Sequence, residues 1–125
     1  MSKVDQFEDL KAWQLARKLT SKIYRLAKEG EFARDFGFRD QICRAAVSIS
    51  SNIAEGFERK SDKAFLQFLA IAKGSAGEVR SQLYIALDLC YITQEHFNEL
   101  NQDISETSRM LSGLIDYLNK ETDQK

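Results

Sequence analysis

Apolar residues recur every three or four positions along most of the chain, the 3.6-residue period of an α-helix, and no segment alternates with the two-residue period of a strand. The pattern predicts four helices, at about residues 8–28, 38–57, 62–91 and 94–120, with a polar tail at 121–125 that frays. In the first, Ala12, Ala16, Leu19, Ile23 and Leu26 form one stripe. In the second, Ile42, Ala46, Ile49 and Ile53 line one side, while Ala45, Ser48, Ser51 and Asn52 give another side small or amide-bearing residues. Small residues let a neighbouring backbone approach, so this helix is expected to pack on more than one side. The third carries two rows: Phe65, Leu69, Ala72, Ala76, Val79, Leu83, Ala86 and Cys90, and beside them Phe68, Ile71, Ser75, Glu78, Gln82, Ile85 and Leu89. Two rows exceed what one bundle edge needs, pointing to central placement, subunit contacts or both. The fourth has a seam of Phe97, Leu100, Ile104, Thr107, Leu111, Leu114 and Leu118.

Punctuation between these patterns sets the expected boundaries. Asp5 with Glu8, or Asp9 alone, can cap the first helix, and Gly30 closes it. Gly30 to Gly37 reads as a connection, with Phe32 and Phe36 tucked against the bundle end. Gly56 and Glu58-Arg59-Lys60 end the second helix, and Ser61 and Thr93 cap the third and fourth. Gly74 and Gly77 inside the third helix each cost about 1 kcal/mol relative to alanine, so a close backbone approach or a bend is expected there. Short connections make successive helices antiparallel neighbours. The expected fold is all-α, an antiparallel up-down four-helix bundle forming a single domain.

Composition agrees with one domain. The chain has 125 residues, 43% hydrophobic and 30% charged, and no proline, enough for one core and too short for two. No apolar run reaches the roughly 18 residues of a membrane span, and Met1-Ser2-Lys3-Val4-Asp5 has no signal-peptide character; no membrane association and a cytoplasmic location are expected. Cys43 and Cys90 both fall among apolar positions and read as buried, reduced thiols. The net charge of −1 conceals an asymmetry, +3 over residues 1–60 and −4 over residues 61–125. Lys11, Lys18, Lys22 and Arg25 lie within about 60° on the first helix, with Arg17 and Lys28 nearby. Glu95, Glu99, Asp103, Glu106 and Asp116 make the outer face of the fourth helix acidic.

Catalytic and metal chemistry find little support. A di-iron carboxylate site needs about four carboxylates and two histidines in Glu-x-x-His pairs, and His96 is the one histidine of the chain. A nucleophilic triad needs a histidine base oriented by a third group, and neither cysteine shows a sign of such a pairing with His96; Gly74-Ser75-Ala76-Gly77 lacks the lysine and spacing of a phosphate loop. No cofactor, no metal and no catalytic residue is expected. Arg44, Asn52, Glu55, Glu78 and Gln82 stand on or beside apolar and small-residue rows, so they are expected to form an internal polar network. In it Arg44 or Arg59 pairs with Glu55 or Glu78 and fixes helix register, because a buried charge demands a partner. The alternative is a polar pocket for a ligand or a neighbouring subunit.

Leu10-Lys11-Ala12-Trp13-Gln14, Arg44-Ala45-Ala46-Val47-Ser48-Ile49, Asn52-Ile53-Ala54-Glu55-Gly56 and Phe68-Leu69-Ala70-Ile71-Ala72-Lys73-Gly74-Ser75, with Glu78 and Gln82-Leu83, resemble the bacterial four-helix-bundle family of 23S rRNA intervening-sequence proteins. The resemblance spans nearly all of residues 7–120 and implies an antiparallel four-helix bundle assembled as a ring of five subunits. The chain is also similar to the accessory proteins of diversity-generating retroelements, whose basic rings bind nucleic acid and a reverse transcriptase. Two functional expectations follow. In one, a non-catalytic ring-forming scaffold binds RNA or DNA through Lys11, Lys18, Lys22 and Arg25, by phosphate neutralisation. In the other, the basic first helix meets the acidic fourth helix of the next subunit, a heterologous contact that consumes the charges in assembly.

Overall fold

A computed structural model describes residues 4–123. After a 3₁₀ turn at Phe7–Asp9 come α1 (Lys11–Leu26), α2 (Gly30–Arg34), α3 (Phe36–Glu58), α4 (Asp62–Asp88) and α5 (Gln94–Asp123). The four long helices α1, α3, α4 and α5 form the antiparallel bundle: α1 packs on α3, α3 on α4, α4 on α5, and α5 closes back onto α1. Among the described residues no strand occurs, and no helix is long and apolar enough to cross a membrane. The first apolar row of α4 from Phe65 to Ala86, the α3 row from Ile42 to Ile53 and the α5 seam supply most of the core, with Ala16, Leu19 and Ile23 entering from α1.

The α3–α4 seam explains the small residues on α3. Asn52 Nδ2 donates to Ser48 O at 2.7 Å and Ser48 Oγ at 2.9 Å, and Ser75 Oγ of α4 lies 3.0 Å from Ser48 Oγ. Further along, a Cβ placed at Gly56 would stand 2.6 Å from Phe68 Cβ. Gly56 is thus a packing residue inside the helix rather than a helix-ending one. The close approach expected at Gly74 and Gly77 is not made within the chain, since a Cβ at either would meet nothing within 4 Å.

Several boundaries move. Leu10, rather than Asp5, Glu8 or Asp9, stands at the cap of α1, with no side-chain cap bond. The 3₁₀ turn before it is fastened by Gln14 Nε2 donating to Glu8 O (2.8 Å) and by Phe7 meeting the Trp13 ring edge-on. The expected connection at 30–37 contains α2, entered through Gly30 at φ +56°. Phe32 is buried against Phe38 and Tyr91, as expected. Phe36, by contrast, is 63% exposed under the Arg39 guanidinium. Asp35 joins both ends of this region: Oδ1 caps α3 by accepting from Phe38 N, and Oδ2 accepts from Tyr91 OH at 2.7 Å. Ser61 and Thr93 do cap α4 and α5. The fourth helix continues through the start of the expected tail to Asp123, and residues 124–125 lie outside the described residues. Cys43 is buried, but Cys90 is exposed, because α4 ends at Asp88 and Cys90 takes φ +61° in the turn to α5.

Candidate nucleic-acid interface

Helix α1 holds five lysines and arginines and no acidic residue. Its core stripe of Ala12, Ala16, Leu19 and Ile23 fixes the rotation of the helix, so the cations fall on the opposite, solvent-facing arc. Lys11, Lys18 and Arg25 are exposed and have no ion-pair partner among the described residues. Arg17 is exposed too, its guanidinium 5.6 Å from the centre of the Trp13 ring.

Lys22 is placed differently. It lies at the margin of α1 facing α5, where Nζ sits 2.6 Å from Glu99 Oε2 and 2.7 Å from Asp103 Oδ2. The hydrogen bonds to Asp103 and Glu99 push the lysine above its ordinary pKa of 10.5, against the opposing effect of burial. The same contact draws Glu99 below its ordinary value. Lys22 therefore clamps α1 to α5 within one subunit, and the basic–acidic pairing expected between subunits has a counterpart inside the chain. The free basic surface is centred on Lys18 and Arg25 and continues past the helix end to exposed Lys28.

Of the five residues expected to share an internal network, Glu78 and Gln82 meet each other, while Arg44, Asn52 and Glu55 bond to neither them nor one another. Arg44 is exposed and borders a cleft beside Tyr24 and Lys28. Glu55 pairs with Arg59 at 2.9 Å, one turn away on the same exposed helix face, and reaches α4 only through the Arg59 guanidinium, 5.1 Å from the centre of the Phe68 ring. Asn52 works with Ser48 and Ser75, two hydroxyls that the charge-based reading overlooked. Gln82 is buried and donates through Nε2 to the exposed Glu78 (3.3 Å), while its Oε1 is buried with no protein partner. Glu55 and Glu78 line neither the cleft beside Tyr24 nor the one between Lys22 and His96. Among the described residues no three His, Cys, Asp or Glu side chains converge as a metal site would require. His96 is exposed in the first turn of α5.

Spacing alone could not separate the two rows of α4. The first is buried from Phe65 to Ala86; in the second, Gln82 is buried, while Ile71, Ile85 and Leu89 are 51%, 44% and 50% exposed. Exposed apolar residues of this row thus flank Glu78, Ile71 on one side and Ile85 and Leu89 on the other.

An all-helical bundle with one acid-free basic helix defines the class of this protein. Its particular family follows from comparison: the model of the 23S rRNA-intervening sequence protein family matches residues 8–113, and the chain belongs to that family. A crystal structure of a protein of unknown function from the S23 ribosomal protein family of Bacteroides thetaiotaomicron is similar, with 26% identity and a TM-score of 0.76 over 83% of this chain and 97% of that one. No functionally curated protein matches.

Proposed function

We propose that this protein is a non-catalytic, ring-forming cytoplasmic scaffold that binds RNA or DNA phosphates through the exposed arc of α1. The observation that carries this reading is the absence of any acidic residue from α1, together with three exposed cations, Lys11, Lys18 and Arg25, that make no ion-pair contact within the described residues. Lysines and arginines left unpaired on one helix face are available for phosphate contact without first breaking an internal ion pair. Lys22, engaged by two carboxylates, contributes little to that contact.

The exposed apolar residues along the second row of α4 favour a second element of the same reading, self-association. Ile71, Ile85 and Leu89 present a surface that a second copy can cover. A ring of five is the assembly that the family resemblance implies.

Light scattering with and without single-stranded RNA, at low and moderate salt, tests both parts. The wild-type chain is expected to run as an oligomer that gains RNA mass at low salt and loses it at moderate salt. Replacing Lys18 and Arg25 together by Glu is expected to abolish RNA uptake while the oligomer persists. Loss of the oligomer in that variant would transfer the basic arc to assembly, and an oligomer indifferent to RNA at low salt would overturn the nucleic-acid reading.

A further inference from the structure

Between the end of α1 and the start of α3 lies a cleft of about 550 Å³, within the ordinary size range of small-molecule sites. Lys28, Arg39 and Arg44 border it against a single carboxylate, Asp40. That carboxylate is already occupied, receiving Arg39 Nε at 3.1 Å. Arg39 is further held by donating from Nη1 to Ala33 O (3.0 Å) and by lying 4.8 Å from the centre of the Phe36 ring. Lys28 and Arg44 are exposed and have no ion-pair partner among the described residues. Positive charges gathered around one concavity repel each other until an anion enters.

The remaining walls are not those of a simple ion site. Ala27 and Cys43 give the cleft a buried apolar floor, and the Tyr24 ring stands at its edge, 41% exposed. An open aromatic ring beside unpaired cations suits a ligand with a planar base and a phosphate, the ring stacking on one and the cations binding the other. We propose that this cleft binds a nucleoside phosphate, with Lys28 and Arg44 on the phosphate and Tyr24 against the base. The nucleotide is either free or one unit of an RNA strand. The site shares phosphate chemistry with the α1 arc but does not depend on that arc binding nucleic acid.

Calorimetric titration of the full chain with adenosine monophosphate, inorganic phosphate and a short adenine RNA tests the proposal. Arg44→Gln and Tyr24→Leu change exposed side chains, so each variant keeps the bundle, which its helical circular dichroism checks. Arg44→Gln is expected to weaken mononucleotide binding by about ten-fold, the loss typical of one charge-assisted hydrogen bond. Tyr24→Leu is expected to weaken it by about ten-fold through lost stacking, while leaving inorganic phosphate unaffected. Lys18→Gln, outside the cleft, should change neither. Competition between the RNA and the mononucleotide, with both weakened by Arg44→Gln, identifies an RNA unit as the ligand; mononucleotide binding without RNA binding identifies a free nucleotide and removes the α1 reading instead. No mononucleotide binding, or binding equally affected by Arg44→Gln and Lys18→Gln, overturns the cleft, and RNA binding that depends on Lys18 and Arg25 alone would leave the α1 reading standing without it.

Discussion

A methyl group at Gly56 would press against Phe68 Cβ at 2.6 Å and Phe65 Cδ1 at 3.0 Å. The first of these atoms is fixed to the α4 backbone, so relief requires α3 and α4 to separate. Overpacking of this kind costs about 1–3 kcal/mol, against a helix-propensity gain of about 1 kcal/mol. Gly56→Ala is therefore expected to lose up to about 2 kcal/mol in denaturant unfolding, whereas Gly77→Ala, with nothing within 4 Å, gains up to about 1 kcal/mol. A stabilised Gly56→Ala would show that the seam has room to spare. The two cysteines separate in the same way. Burial, helped by Asp40, raises the Cys43 thiol above its ordinary value, and the thiol is sequestered, whereas Cys90 is exposed. A thiol reagent is expected to modify Cys90 rapidly in the native protein and Cys43, whose raised thiol lies at the floor of the Tyr24 cleft, much more slowly; equally rapid modification of both would contradict this packing.

The contact between α1 and α5 titrates from two sides. Glu99 is depressed below 4.5 by its hydrogen bond to Lys22, so its contribution is present above 4.5 and is lost as pH falls through the lowered value. Lys22 is raised above 10.5, so its contribution is present below 10.5 and is lost as pH rises through the raised value. Tyr91, raised above 10.0 chiefly by its hydrogen bond to Asp35, adds to the alkaline side. Melting temperatures followed from neutral pH to about pH 3 are expected to fall less steeply in Glu99→Gln than in the wild type; parallel curves would remove the clamp from the acid limb. This clamp marks where sequence reading stops. The 3.6-residue rows around Ile49, Leu69 and Ile104 made the four helices and their core faces legible, because burial leaves a periodic trace. Ser61 and Thr93 were legible as caps because their bonds are local. The partnership of Lys22 with Glu99 and Asp103 depends on which helices become neighbours and at what height, and nothing local encodes that. The Cys90 row misled for a related reason: its spacing continues past Asp88, while the helix does not. Helix α2, five residues long, is too short to show a period at all.

At the scale of the whole molecule, the charge halves of +3 and −4 are brought together rather than kept apart, since the second half supplies the two carboxylates that hold Lys22. On the proposed reading, the outer arc of α1 offers a polyanion Lys11, Arg17, Lys18 and Arg25, apart from the cations of the Tyr24 cleft. If all four contact phosphates of a single strand, the slope of log affinity against log salt is expected to be about −3. The composition of that slope distinguishes the free cations from the clamped one. Lys18→Gln removes one phosphate contact and is expected to reduce the slope by about 0.7. Lys22→Gln removes a cation whose charge is already met by two carboxylates, so the slope should stay unchanged while the melting temperature drops. Fluorescence titration of a labelled single strand over a salt series measures both variants. An equal reduction in slope for Lys22→Gln would mean that phosphate displaces Glu99 and Asp103 on binding, making the α1–α5 contact part of the nucleic-acid interface rather than its boundary.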